Sequence, residues 1–127
     1  MGYRSTIGIA IQKDALLKHT LLSKKPVPEL LITADQSNYP ECMQDDAETV
    51  AYFYIDYVKW YGTYEDVMAV ESLLERIEED PDHELDSDSS YGFLRIGEHD
   101  DDIETRGDPY QYDMYVERNI SFPMEFV

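Results

Sequence analysis

The sequence has one cysteine and no long apolar run. Cys42 is the lone thiol among 127 residues, which excludes an intramolecular disulfide and a cysteine-based zinc site and favours a reducing compartment. No stretch approaches 18 apolar residues, and the first residues contain no apolar segment of signal-peptide length. These absences predict a soluble, cytoplasmic protein.

Basic residues are also scarce, and they are unevenly placed. The chain has 10 Lys and Arg against 28 Asp and Glu, a net charge of −18. Residues 1–25 hold five of the basic residues and one acidic residue, whereas residues 26–127 hold the other five and 27 acidic ones. Nucleic acid and anionic membranes are therefore disfavoured as partners, and a basic protein surface is favoured.

Apolar residues are sufficient for a packed interior despite this charge. Hydrophobic residues make up 43% of the chain and aromatic residues 13%, which is unlike a disordered composition. A chain of 127 residues predicts one domain, residues 1–127. A domain of this size buries about two-thirds of the surface of its unfolded chain.

The first half of the chain predicts three strands and a helix. Residues 3–12 alternate with a period of two, which predicts a strand, and Asp14 is placed to cap a short leucine-rich helix. The apolar run Glu29–Thr33 predicts a second strand, with a helical turn as the alternative. Residues 48–61 predict the third, with Val58 and Trp60 on the same face as Tyr52 and Tyr54.

The second half predicts a long helix followed by two strands. Residues 64–79 place apolar side chains at the helical period, residues 91–96 predict a strand whose hairpin extends around Ile103, and residues 112–122 alternate as a last strand. The order β-α-β-β-α-β-β predicts a single α+β domain with a mostly antiparallel sheet and two helices packed on one face. The opposite face is expected to be solvated or used for contact.

No motif for catalysis is present. A calcium loop that starts at Asp80 or Asp82 lacks the required Gly and Glu, the three histidines fit no zinc spacing, and there is no Gly-rich phosphate loop. We therefore predict a protein that is not an enzyme and that has no cofactor and no metal. A weak divalent-metal site in the acidic loops, or a metal-dependent hydrolase, is the alternative.

The acidic residues themselves predict a binding surface. Residues 78–104 contain 12 acidic residues and a single basic one, Arg95. Like charges four apart on a helix destabilise it by a few tenths of a kcal/mol, yet they lie about 6 Å apart, which approaches the spacing of nucleic-acid phosphates. This excess of acidic residues predicts a DNA-mimic-like face that docks on a basic protein. The alternative is that the acidic residues serve only to keep the protein soluble. The predicted contacts are Glu71, Glu75, Glu78, Asp82, Glu84, Asp86, Asp100, Asp101 and Asp102.

Aromatic residues concentrate around the third strand and predict a second kind of contact. Tyr57, Trp60 and Tyr61 are candidate anchors, because exposed tyrosine and tryptophan side chains are efficient interface residues. If the tyrosine-rich sheet face carries the function, the chain is a protein–protein adaptor or a homo-oligomer.

Four short stretches together carry a resemblance. They are Gly-Tyr-Arg-Ser at 2–5, Val-Lys-Trp-Tyr at 58–61, Phe-Leu-Arg-Ile-Gly-Glu at 93–98 and Asp-Asp-Ile-Glu at 101–104. The combination resembles small accessory proteins encoded by tailed bacteriophages and prophages. The resemblance implies a host-takeover or anti-defence inhibitor that acts in the cytoplasm of an infected bacterium, and it supplies no catalytic residues.

Arg95 has two possible roles. As a single arginine among acidic residues, it is expected to pair across a hairpin with Asp101, Asp102 or Glu104 and so to pin the loop. We favour this structural role over a functional one.

Overall fold

A five-stranded antiparallel sheet forms the centre of the protein. The computed structural model describes residues 3–39, 41–44, 49–80, 90–99, 101–116 and 120–121. The strands are β1 (Ser5–Gln12), β2 (Gln36–Ser37), β3 (Val50–Val58), β4 (Tyr91–Ile96) and β5 (Ile103–Gly107), in the order β2-β3-β1-β4-β5. A separate pair consists of β6 (Tyr115–Val116) and β7 (Ile120–Ser121). The predicted α+β class with a mostly antiparallel sheet is confirmed.

Within the described residues, four α-helices accompany the sheet. They are α1 (Lys13–His19), α2 (Glu29–Ile32), α3 (Glu41–Gln44) and α4 (Glu65–Glu78), with 3-10 helices at Leu21–Ser23 and Pro109–Tyr112. Helix α4 is the longest, and Glu65 and Asp66 in its first turn interact favourably with the positive end of the helix dipole.

One face of the sheet and the helices enclose the main core. Ile7, Ile9 and Ile11 of β1 point to this face and are fully buried. Helix α4 contributes its buried stripe, which consists of Val67, Val70, Leu73, Leu74 and Ile77. Full burial of each such aliphatic side chain stabilises the fold by about 1.5 to 3 kcal/mol, so α4 is firmly held on the sheet.

The other face of the sheet is covered in part by the segment after β5. Tyr112 and Met114 are buried there against Ala10 and Leu94. Small residues allow this approach, since a Cβ at Gly92 would lie only 2.5 Å from the Cα of Pro109. The expected free face is therefore partly occupied by the protein's own chain.

Several predicted elements are wrong in detail. Glu29–Ile32 is the helical turn, not the strand, because Pro28 precedes a four-residue run that buries only Leu31. The α1 helix begins at Lys13 without a side-chain cap from Asp14. Residues 112–122 are not one strand, because Asp108 caps a 3-10 helix that ends at Asp113 in the left-handed conformation.

A β-bulge changes the faces of β3. Ser5 pairs with Val58 but Ile7 pairs with Ile55, so β3 contains one extra residue opposite Thr6. Val58 and Trp60 consequently pack against the helix-covered core, whereas Tyr52 and Tyr54 lie on the other face. The prediction that all four share a face is wrong for this reason.

Candidate functional site

The outer surface of α4 and the residue at its C-cap carry a row of carboxylates, which we call the acidic stripe: Glu71, Glu75 and, at the C-cap, Glu79. Glu75 and Glu79 are exposed and Glu71 is half-buried. None of the three carboxylates forms an ion pair or hydrogen bond within the described ranges. With a rise of about 1.5 Å per residue, successive members of the stripe are spaced by about 6 Å along a rigid helix.

The stripe is not neutralised by the helix that carries it. Arg76 is the basic residue of the last turn, but its Nη2 donates a hydrogen bond to the carbonyl oxygen of His19 at 3.0 Å. This contact directs the guanidinium toward α1. Carboxylates near a helix C-terminus also oppose the helix dipole. The stripe therefore costs α4 stability.

Glu78, which was predicted to contact a partner, is engaged within the protein. It accepts a hydrogen bond from the phenol of Tyr91, and Arg106 of β5 approaches it at 3.4 Å. Burial, together with this hydrogen bond, raises the pKa of Tyr91. Glu78 therefore ties the end of α4 to the sheet and is less available than the stripe.

The remaining predicted acidic contacts divide into two groups. Asp82, Glu84, Asp86 and Asp100 lie outside the described residues. Asp101 is exposed at the β4–β5 turn, and no described residue binds its carboxylate. Asp102, the adjacent residue, is instead part of an internal network.

This Arg95 network consists of Tyr3, Ser5, Arg95, Asp102 and Glu104. Arg95 donates to both oxygens of Asp102, at 2.8 and 3.3 Å, through Nε to Glu104 at 3.0 Å, and to the hydroxyl of Ser5 at 3.2 Å. The phenol of Tyr3 donates to Asp102 at 2.6 Å. The hydrogen bonds from Arg95 and Tyr3 hold the pKa of Asp102 below its ordinary value. The predicted pinning role of Arg95 is consistent with these contacts.

The four stretches that carried the resemblance meet around this network. Tyr61 accepts a hydrogen bond from the backbone N–H of Tyr3 at 2.6 Å, and Glu98 accepts one from the N–H of Arg4 at 2.8 Å. The backbone N–H of Gly97 donates to the carbonyl oxygen of Asp102 at 2.8 Å. Segments that are far apart in sequence thus close one end of the sheet. Tyr3 and Tyr61 were not predicted in this role, because the sequence gives no signal for a contact across 58 residues.

The candidate aromatic anchors differ in exposure. Tyr57 is 70% exposed, and the Arg4 guanidinium lies 4.9 Å from the centre of its ring. Trp60 packs against Phe93 with ring centroids 6.0 Å apart, so it belongs to the core edge. Tyr61 binds the backbone of Tyr3. Of the three, Tyr57 is the one that is available to a partner.

The described residues do not form a metal site, and their one cysteine is poorly suited to act as a nucleophile. Within them, no group of three or more His, Cys, Asp or Glu side chains is arranged to hold a metal ion. Asp102 is already bound by Arg95 and Tyr3, so it is a poor ligand beside His99. Cys42 is buried, and burial raises the pKa of its thiol, which disfavours the reactive thiolate.

No family model matches the chain, and neither the curated proteins nor the solved structures include a significant match. Within the described ranges, no helix has the length and apolar character needed to cross a membrane.

Proposed function

We propose that the chain is a non-enzymatic accessory protein of the bacteriophage type, which binds and inhibits a basic host protein through the surface of α4. The partner is a protein that handles nucleic acid, and the carboxylates occupy its phosphate-binding groove as a DNA mimic. The proposal rests on the acidic stripe. Three carboxylates that have no basic partner among the described residues cost the packed helix stability, and a docked cationic surface would relieve their repulsion.

The position of the stripe supports this proposal. Because five apolar side chains of α4 are buried, the helix cannot rotate to hide Glu75 or Glu79. A fixed array of charge keeps its geometry in solution and spends little conformational entropy on binding. Glu78 and Asp102 contribute negative potential near the surface, but their internal partners make them secondary contacts.

Capture of the partner from a bacterial lysate tests the role of the stripe. The immobilised protein should retain a basic protein at low salt and release it at about 0.5 M salt, where charge interactions are screened. The variant E71K/E75K/E79K should lose the partner, while its circular dichroism and melting show that it is folded. Duplex DNA added to the captured complex should displace the protein, because both occupy one groove.

A matched variant distinguishes the effect of the acidic stripe on partner binding from the effect of net charge. Asp14, Glu29 and Glu41 are exposed acidic residues elsewhere on the surface, and D14K/E29K/E41K changes the net charge by the same amount. We expect this variant to retain the partner. Equal loss in both triple variants would show that overall charge is responsible, and capture that survives the stripe reversal would refute the proposal.

Tyr57 favours a second candidate function, that of a protein–protein adaptor. It is a highly exposed aromatic residue held in the left-handed conformation with φ of 55°, and such backbone strain concentrates at functional sites. An interface anchored by Tyr57 would survive about 0.5 M salt, since apolar contacts are not screened. Y57S would then abolish capture, whereas reversal of the stripe would not.

A further inference from the structure

Among the described residues, no strand covers the outer edge of β5. β5 pairs with β4 on one side, and no described strand pairs with its other side. Ile103, Thr105 and Gly107 are exposed, whereas Glu104 and Arg106 are half-buried on the helix-covered side. An open edge of this kind is a template for another strand.

The hydrogen-bond pattern of the β4–β5 hairpin fixes which groups point outward. Gly97 donates to the carbonyl oxygen of Asp102 at 2.8 Å, and Asp108 donates to that of Tyr91 at 3.0 Å. Backbone groups alternate in direction along a strand, so even-numbered residues of β5 bond to β4. The N–H and C=O groups of Thr105 and the C=O group of Ile103 are consequently directed to the outer edge, whereas the N–H of Ile103 donates to the carbonyl oxygen of Asp101 at 3.1 Å.

The side chains of β5 are complementary to those of a second β5 strand that runs in the opposite direction. In an antiparallel pair of two β5 strands centred on Thr105, each Thr105 faces its equivalent and Ile103 faces Gly107. Glu104 of each copy then faces Arg106 of the other, in the position without backbone hydrogen bonds, where side chains are closest. Two opposite-charge pairs therefore form across the two-fold axis, in addition to the ion pairs that Glu104 and Arg106 make with Arg95 and Glu78 within each copy.

Other symmetric registers are penalised by the same residues. A register shifted by two residues in one direction places Glu104 opposite Glu104, and the shift in the other direction places Arg106 opposite Arg106. Like charges directly opposite each other destabilise a sheet. Of these three registers, only the one centred on Thr105 places opposite charges face to face.

We propose that two copies of the protein associate through β5 in this register and form one continuous sheet. The inference is independent of the proposed function, because β5 does not include the acidic stripe. Gly107, with φ of +65°, ends the regular ladder. The interface is therefore short, and we expect the two copies to associate weakly and in a concentration-dependent manner.

Sedimentation equilibrium over a range of protein concentrations tests the proposal. The average mass should rise from 14.8 kDa toward twice that value as the concentration approaches about 0.5 mM, a range suited to weak association. T105P removes the central outward N–H without removing a bond to β4, and edge strands tolerate proline. It should weaken association at least about tenfold, whereas T105V should associate like the wild type.

Complementary charge variants test the register itself. R106E places Glu opposite Glu104, and E104R places Arg opposite Arg106, so each variant alone should be monomeric. A mixture of the two variants restores opposite charges at both positions and should form a heterodimer. A mass of 14.8 kDa at all concentrations, T105P that dimerises like the wild type, or a mixture that stays monomeric while both variants are folded would overturn the proposal.

Discussion

At the scale of single residues, Tyr57 has an unusual backbone conformation. Its φ of 55° places it in the left-handed region at the bulge of β3, which costs an L-residue with a Cβ about 1 to 2 kcal/mol. Glycine is free of this cost. We therefore expect Y57G to be more stable than Y57A by about 1 kcal/mol in urea unfolding, because both lose the ring and its contact with Arg4.

The same pair of substitutions at Thr105 is the control. There the strand is regular, and glycine should be less stable than alanine by about 0.5 to 1 kcal/mol. If glycine is also the less stable residue at position 57, the left-handed conformation is not maintained in solution. Replacing alanine by glycine should therefore raise the unfolding free energy at position 57 and lower it at position 105.

Asp102 contributes to stability through Arg95 and Tyr3. Removal of its charge in D102N leaves Glu104 as the one carboxylate among the described residues that pairs with Arg95, beside the Ser5 hydroxyl, and we expect a loss of about 1 to 2 kcal/mol of unfolding free energy at neutral pH. D101N, one residue away, alters an exposed carboxylate without a described partner and should have no effect. Equal stability of the two variants would contradict the network.

The pH dependence follows from the direction of the pKa shift. The pKa of folded Asp102 is below the ordinary value of 3.8, so its contribution is present above about pH 4 and is lost as pH falls through the folded-state pKa. The stability difference between wild type and D102N should therefore disappear in acid. A difference that persists or grows below this pH would indicate another cause.

At the scale of elements, Gly92 controls how the segment after β5 packs on the sheet. A Cβ at this position would lie 2.5 Å from Cα and 2.8 Å from N of Pro109. Because these are backbone atoms, the 3-10 helix must move. We expect G92A to lose about 1 to 3 kcal/mol in chemical unfolding.

Gly62 provides the matched control for this substitution. A Cβ there meets no atom within 4 Å, so G62A should be neutral or stabilise by about 0.4 to 1 kcal/mol through the unfolded state. If both variants lose the same stability, the effect is a general property of glycine replacement and not a clash with Pro109.

The elements that sequence predicted well are those with a long periodic pattern. The alternation of β1 and the buried stripe of α4 each extend over many residues, so the period identifies both the element and its buried side. The four-residue run after Pro28 is too short to distinguish a strand from a turn of helix. The alternation of Tyr112 and Met114 was misleading, because both are buried by a 3-10 helix and a left-handed residue instead of a strand.

Some contacts of the candidate site were predictable from local sequence patterns, and others were not. Glu71 and Glu75 of the acidic stripe were predicted from helical spacing, and the pairing of Arg95 was predicted from hairpin proximity, whereas Glu79 was not among the predicted contacts. The phenol of Tyr3 reaches Asp102 across 99 residues, and Glu78 is bound by Tyr91 and Arg106 from separate strands. Such contacts depend on the order of strands in the sheet, which local patterns do not encode.

At the scale of the whole molecule, association through β5 would change what the acidic surface offers. A two-fold dimer presents two copies of α4 on the same side of a continuous sheet, since the helices cover one face of each sheet. Two linked arrays can bind a partner with repeated basic sites more tightly than one, through effective concentration. A monomeric T105P variant would then bind such a partner more weakly while its stripe is intact.

The net charge of −18 makes a last prediction about the folded state as a whole. Ion pairs such as Arg95–Asp102 are weakened by salt, but the uncompensated carboxylates repel one another and salt screens that repulsion. Repulsion is the larger effect here, because most described carboxylates have no basic partner. Raising salt from about 0.02 to 0.2 M should therefore raise Tm by about 4 °C, which corresponds to about 1 kcal/mol.

The variant E71Q/E75Q/E79Q identifies the source of this salt effect. Neutralising the stripe removes three interacting charges from one helix, so its Tm at low salt should exceed that of the wild type and its rise with salt should be smaller. D14N/E29Q/E41Q removes as many charges from separate places and should retain most of the salt effect. A wild-type Tm that falls with salt would mean that the ion pairs outweigh the repulsion, and the stripe would then carry no strain for a partner to relieve.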